Sequence, residues 1–200
     1  MHDHLEKIFN SEESGLNPDA PENVWPAPAA AEGKKKLRSA AVLVPLINYD
    51  GGMKVLLTQR TETMPDHAGQ IAFPGGGLKE GETSPEQTAL RETQEEIGLV
   101  ASQIKILGRM NARDTGTGYR VMPIIGMIRP PFSLTPDPSE VAKVFEVPLD
   151  FIIDPANHRL ETRNESGRSR EYYVLPYNDY YIWGLTARIL VELGKILRKT

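Results

Sequence analysis

The chain has 200 residues, 40% apolar and 25% charged, which places it in the globular class with enough length to bury an ordinary core. A formal net charge of -4 argues against an electrostatic nucleic-acid binder, which needs a basic face. The absence of cysteine removes disulfides, thiolate metal sites and cysteine nucleophiles. An anionic small-molecule substrate stays open, because a bound divalent cation reverses the local sign of charge.

In chain order, Met1 to Asn10 is polar and lacks the apolar stretch of a signal peptide. No apolar run approaches the roughly 20 residues of a membrane span, so the expected location is cytoplasmic and no membrane partner is expected. A short helix is expected over Leu5 to Phe9. Residues 1–37 form a largely irregular N-terminal arm, since 11–37 is rich in Ser, Glu, Asn, Pro and Ala and buries little. The basic run Lys34 to Lys36 is either a solvated segment or a stretch that steers phosphate.

The packed domain is expected over 38–200. Ala40 to Ile47 is nearly all apolar and forms a buried strand. Tyr49 to Gly52 makes a turn on its Asp-Gly pair, and Lys54 to Arg60 is the hairpin partner. Further strands are predicted at 103–112, 120–129, 142–148 and 170–175, and helices at 84–97 and 178–198. Strands and helices mix without a strict repeat, so the class is α/β of the α+β type, a mixed sheet between helices. The last helix carries two apolar rows, Trp183, Ala187, Leu190, Gly194 and Leu197 beside Ile182, Leu185, Ile189 and Ile196. They pack in the core or against a second copy, so monomer and homodimer both stay open.

The stretch Phe73 to Leu99 carries the chemistry. Ser84 suits the N-cap of its helix, Pro85 the first turn and Gly98 the end. Glu92, Glu95 and Glu96 fall within about a 100° sector, with Ala89, Thr93 and Ile97 beside them facing the core. Carboxylates so crowded repel by a few tenths of a kcal/mol per exposed pair. They form a solvated acidic stripe or a site for a hard divalent cation, which prefers oxygen ligands. Arg91 stands four residues before Glu95, at ion-pair spacing. Pro74 to Gly77 lets backbone approach a ligand closely, and Gly81-Glu82 adds a turn and a fourth carboxylate.

This segment resembles the Nudix box, G-x5-E-x7-R-E-U-x-E-E-x-G-U with U aliphatic, at Gly76, Glu82, Arg91, Glu92, Glu95, Glu96, Gly98 and Leu99. The gap between Glu82 and Arg91 holds eight residues rather than seven, and Thr93 stands at the first U. The resemblance implies an α/β/α sandwich with a mixed sheet. It implies hydrolysis of a nucleotide diphosphate bond with Mg2+ or Mn2+ held by Glu92, Glu95 and Glu96, and Arg91 orienting a box carboxylate.

Upstream, Leu56 to Gly76 (LLTQRTETMPDHAGQIAFPGG) is similar to the signature of the coenzyme A pyrophosphatase branch, L-L-T-x-R-(S/A)-x3-R-x3-G-x3-F-P-G-G. Leu56, Leu57, Thr58, Arg60, Gly69, Phe73, Pro74, Gly75 and Gly76 fit in register, while Thr61 and Pro65 depart, Pro65 standing where the signature has Arg. Segments 114–128, 140–149 and 180–190 look similar to that branch as well, as does the expanded box. The implied products from coenzyme A are phosphopantetheine and 3',5'-ADP.

On the substrate side, Arg60 grips phosphate or pairs with a carboxylate, and Gly75 and Gly76 approach by backbone. His67 compensates for Pro65 or is a plain loop residue, and Gln70 meets substrate or satisfies the loop. Phe73 packs. The general base is a box glutamate or Glu140, which is otherwise a surface residue. Three alternatives remain: another nucleoside diphosphate derivative as substrate (ADP-ribose, a dinucleoside polyphosphate or NADH), a non-catalytic nucleotide-binding module, and RNA processing, which the acidic charge disfavours.

Overall fold

The first apolar run forms β1 (Arg38–Tyr49), the middle strand of the fold, in a computed structural model that describes residues 2–9, 23–28, 36–165 and 168–199. The far end of β1 turns back at Asp50-Gly51 into β2 (Gly52–Arg60), with Leu46 opposite Val55. The two strands then diverge. The segment after β2 fills the split, with β3 (Ile71–Ala72) pairing β2 and β4 (Gly75–Gly77) pairing β1 antiparallel. The glycine-rich loop is therefore held inside the sheet, between its two central strands.

The following strands are β5 (Ile104–Arg109), β6 (Arg113–Asp114), β7 (Tyr119–Ile128) and β8 (Val141–Pro148). β1 runs parallel to β7 over ten residue pairs, and β5 and β6 pair β7 antiparallel, so the sheet is mixed. β8 pairs β2 and carries the chain back to the split.

Period-two alternation along β1 feeds two cores. Ala41, Leu43 and Ile47 pack with Ala89 and Ile97 of α2 (Pro85–Ile97) on one face. Val44 and Leu46 pack on the other face with α3 (Leu149–Ile153) and α4 (Gly184–Arg198). The expected two-layered cover of a mixed sheet is present. Of the expected arm, residues 10–22 and 29–35, including Lys34 and Lys35, lie outside the described residues. Its start forms α1 (His2–Phe9), with Leu5, Ile8 and Phe9 buried in the α4-side core.

Three elements differ from expectation. The helix predicted from 178 begins at Gly184, and Tyr180–Trp183 is instead a strand, β11. Asn178 adopts a φ of 50° in a two-residue turn with Asp179, and Tyr177 pairs Tyr180 across it. Asn tolerates that left-handed conformation, which suits a tight hairpin. The strand predicted at 103–112 ends at Arg109. A strand without an expectation, β9 (Arg159–Glu165), joins β10 (Arg168–Tyr177) and β11 in a separate three-stranded sheet. Among the described residues no helix is long and apolar enough to cross a membrane.

Candidate active site

Helix α2 is built as its termini foretell. Ser84 accepts from the Gln87 N–H, and the Gln87 side chain reaches back to the Ser84 backbone in a reciprocal cap. Gly98 ends the helix at φ 73°, and its N–H donates to the Gln94 carbonyl. The last carbonyls of the helix are taken up by the loop before β8, where the Thr135 N–H donates to Ile97 and the Asp137 N–H to Glu96. That loop carries Glu140 to the helix end.

On the outer face of α2, Arg91 organises the carboxylates. Its Nε donates to Glu82 at 2.6 Å, and one terminal nitrogen donates to Glu92 at 2.6 Å and to Glu95 at 2.8 Å. The other terminal nitrogen donates to the Gly77 carbonyl at 3.0 Å, which ties the glycine loop to the helix. The eight-residue gap therefore leaves Glu82 in reach of Arg91. Burial alone would raise the Glu82 carboxyl, but Arg91, the Lys79 N–H and the Thr88 hydroxyl together hold it at about 2. Burial also opposes the Arg91 charge, and its carboxylate partners reverse that and raise it. Glu95 is exposed and is lowered first by Lys79, which donates to both its oxygens at 3.0 Å, and then by Arg91.

Glu96 sits differently. It is 3% exposed, and burial is the largest cause that pushes its carboxyl up to about 8. Arg60 and the Gly75 N–H draw it down, while Glu92 and Glu140 push it further up. Arg60 ends β2, and its buried Nε has no hydrogen-bond partner. Its backbone is fixed by the loop, the Arg60 N–H donating to Gln70 at 2.9 Å and the Thr61 N–H to Glu140 at 3.0 Å. Three strand ends and one helix thus bring Arg60, Gly75, Glu92, Glu96 and Glu140 together.

The glycines are there for space. A Cβ on Gly76 would stand 2.6 Å from the Glu92 carboxyl carbon, and one on Gly75 would stand 2.5 Å from the Ala41 carbonyl oxygen. Phe73 is buried in the core and packs, as expected. His67 and Gln70 are not drawn into the carboxylate cluster. They bond each other at 3.0 Å across an exposed turn, with His67 at φ 61°. Pro65, at the signature's Arg position, is exposed in the same turn. Lys79 and Thr88 were not singled out from the sequence. The capping-box spacing of the loop gave no hint of them, because their roles come from the fold of the turn around Glu82.

Among the described residues no three His, Asp or Glu groups converge as a ready ion cage, since Glu92 and Glu95 are turned onto Arg91. The donor set nevertheless fits a hard divalent cation. A buried carboxylate faces two others, an excess of negative charge that burial makes costly and that such a cation relieves.

A family model for the NUDIX domain matches residues 36–173. The chain belongs to the Nudix family. It is 39% identical over 158 residues to an uncharacterized Nudix hydrolase NudL of Photorhabdus laumondii, covering 79% of this chain and 84% of that one. It is 36% identical over 157 residues to the uncharacterized Nudix hydrolase NudL of Escherichia coli, covering 78% of this chain and 81% of that one. In fold it is similar to the MutT protein of Methanosarcina mazei, with a TM-score of 0.54 at 20% identity over 86% of this chain and 100% of that one. The chain is a Nudix hydrolase, a class that acts on nucleoside diphosphate derivatives and uses divalent metal ions.

Proposed function

We propose that the chain hydrolyses the diphosphate bond of coenzyme A or its derivatives, giving phosphopantetheine and 3',5'-ADP, as a cytoplasmic enzyme built from an N-terminal arm, 1–37, and a catalytic domain, 38–200. The observation that carries this reading is where the Leu56 to Gly76 signature lies. Its Arg60 and Gly75 flank Glu96, and the loop between them holds Arg60 by backbone hydrogen bonds. Of the positions similar to the coenzyme A branch, Arg60, Gly75 and Gly76 thus border the carboxylates.

Each side chain has a task in this scheme. Glu92 and Glu96, with Glu95 beside them, hold Mg2+ or Mn2+. When bound, that ion neutralises the diphosphate oxygens and lowers the pKa of the attacking water. Arg60 offers its guanidinium to a phosphate oxygen, a charge-assisted bond with directional geometry. Arg91 fixes Glu92 and Glu95 in place from behind. Gly76 lets the Glu92 carboxylate lie against the loop backbone, and Gly75 lets the loop close onto β1. Glu140, beside Glu96, takes the proton of the water. His67 and Gln70 brace the loop that borders the substrate.

Pro65 favours a second reading, in which the substrate is another nucleoside diphosphate derivative such as ADP-ribose, a dinucleoside polyphosphate or NADH. Product mass spectrometry with each substrate, in Mg2+ or Mn2+ and in chelator, separates the two. Metal-dependent release of 3',5'-ADP and phosphopantetheine supports the first reading. Turnover of the other substrates alone replaces it.

A further inference from the structure

The three-stranded sheet ends in a strand with an open edge. Among the described residues β9 pairs only with β10, in continuous register from Arg159 opposite Val174 to Asn164 opposite Ser169. An edge of this kind presents a row of unpaired N–H and C=O groups, which proteins commonly blunt with proline, lysine or a bulge. Residues 159–164 (RLETRN) contain no proline and no lysine, and their pairing has no bulge.

The ladder determines which backbone groups are open. In an antiparallel pair, residues bonded to the partner strand alternate with residues that are not. The two-residue turn at Asn178-Asp179 makes Tyr177 and Tyr180 a bonded pair, so odd-numbered residues of β10 bond β11. Even-numbered residues of β10 bond β9, which commits the backbone of Arg159, Glu161 and Arg163 to β10. The N–H and C=O groups of Leu160, Thr162 and Asn164 therefore point to the free edge.

The side chains along this edge complement themselves. Glu161 and Arg163 stand two residues apart, so they share one face. Glu161 Oε2 accepts from the Tyr172 hydroxyl at 3.1 Å and the Tyr181 hydroxyl at 2.7 Å, which holds the carboxylate in place. Arg163 stands directly opposite Arg170, a like-charge pair that costs stability. A second β9 laid antiparallel across a two-fold axis through Thr162 sets Glu161 of each copy opposite Arg163 of the other. Thr162 then meets Thr162 as a bonded pair, and Glu161 meets Arg163 at a non-bonded position, where side chains come closest. Each Arg163 gains a carboxylate beside the Arg170 that it already faces. Moving the axis by one residue sets Glu161 against Glu161, or Arg163 against Arg163, so the charges fix the register. Leu160, 55% exposed on the other face, is covered by the incoming strand.

We propose that β9 pairs with β9 of a second copy of this chain, joining the two three-stranded sheets into one continuous sheet across a two-fold axis at Thr162. A strand pair of this length buries less than the roughly 1,600 Å2 of a standard interface, so the dimer is reversible and depends on concentration.

Sedimentation equilibrium of the full chain over a concentration series reads the association, with circular dichroism as the check on folding. Wild type is expected to dimerise with a dissociation constant on the order of 10 to 100 µM. Arg163→Glu and Glu161→Arg should each raise that constant by about tenfold or more, because each sets like charges opposite across the axis. Mixed together, the two variants should form a heterodimer. Glu161 of the first then meets Arg163 of the second, and the two introduced charges also have opposite sign. Thr162→Pro removes the central N–H at an edge position that tolerates proline, and it should abolish the dimer. If Thr162→Pro does not fold, the two charge variants and their mixture decide the matter.

Three outcomes overturn the proposal. A wild-type protein that stays a monomer up to about 1 mM has no such interface. A dimer that survives Arg163→Glu, Glu161→Arg and Thr162→Pro is built on another face. A mixture of the two charge variants that stays monomeric removes the pairing of Glu161 with Arg163 on which the register rests.

Discussion

The carboxylate helix and the three-stranded β9–β11 sheet border the same strand end and are built on opposite terms. Around α2 nearly every charged atom is committed: Glu82, Glu92 and Glu95 all answer to Arg91, and Glu96 is buried among like charges. Across the strand end, β11 presents Tyr181 half exposed and its neighbours line an open cleft. The first region stores unfavourable charge, which suits it to the proposed cation and reaction. Substitutions in the first should lower turnover with the fold intact, and those on the exposed face of the second should leave turnover near wild type.

The largest effect is expected from Glu96→Gln, which should lower kcat by at least about 100-fold while circular dichroism stays native. A folded variant near wild-type turnover would contradict the metal-site model. Arg60→Ala should cost about 10- to 100-fold in kcat/KM, with Arg60→Lys recovering only part, since an ammonium lacks the planar fork. Gly76→Ala and Gly75→Ala sharpen the contrast further. At Gly76 the new methyl meets the Glu92 side-chain carboxylate rather than backbone, so the protein should fold with that carboxylate displaced from Arg91 and lose about tenfold in activity. At Gly75 it meets backbone, so thermal unfolding should show a loss of about 1–3 kcal/mol.

Stability against pH gives a smaller signal. The Glu96 carboxyl lies at about 8 in the folded protein against an ordinary value of 4.5, so the native state favours its proton. Its contribution to stability is complete below about pH 4.5 and is lost as pH rises through about 8. In chelator, Tm should fall across that window, and Glu96→Gln should flatten the slope; an equal slope in both would assign it elsewhere. Glu82 has the opposite sign, its stabilisation being lost as pH falls through about 4.5 toward 2. The smallest effect belongs to Lys79→Ala, an exposed partner of Glu95, expected to change kcat by less than about threefold and stability by less than about 1 kcal/mol.

The two regions also differed in how much of them could be read from residue order. Helix α2 was legible because its caps, carboxylate spacing and glycine loop are local, and the fold class followed from strand and helix alternation. Arg60 and Glu140 were candidates for phosphate and for the base, but their adjacency to Glu96 was not legible, because it depends on β2 and β8 pairing with a bulge at Gln59/Arg60. The β11 strand was hidden because Ile182 and Trp183 continue the apolar rows of α4, which drew the helix back to 178. The Asn178-Asp179 turn was the local signal that separates the two. β9 was hidden because Arg159 to Glu165 is polar, with Leu160 itself 55% exposed, and an uncovered strand shows no apolar face. The cleft drew its wall from residues 59 to 183, a convergence that no local pattern carries.

In the proposed mechanism the crowded carboxylates at Glu96 hold the metal ion. Calorimetric titration of Mn2+ into the wild-type protein and Glu96→Gln at pH 7, in buffers of different ionisation enthalpy, decides this. Wild type should bind with release of about one proton as Glu96 gives up its own, and Glu96→Gln should bind weakly with no such release. Equal binding by both proteins, or none by the wild type, would contradict it.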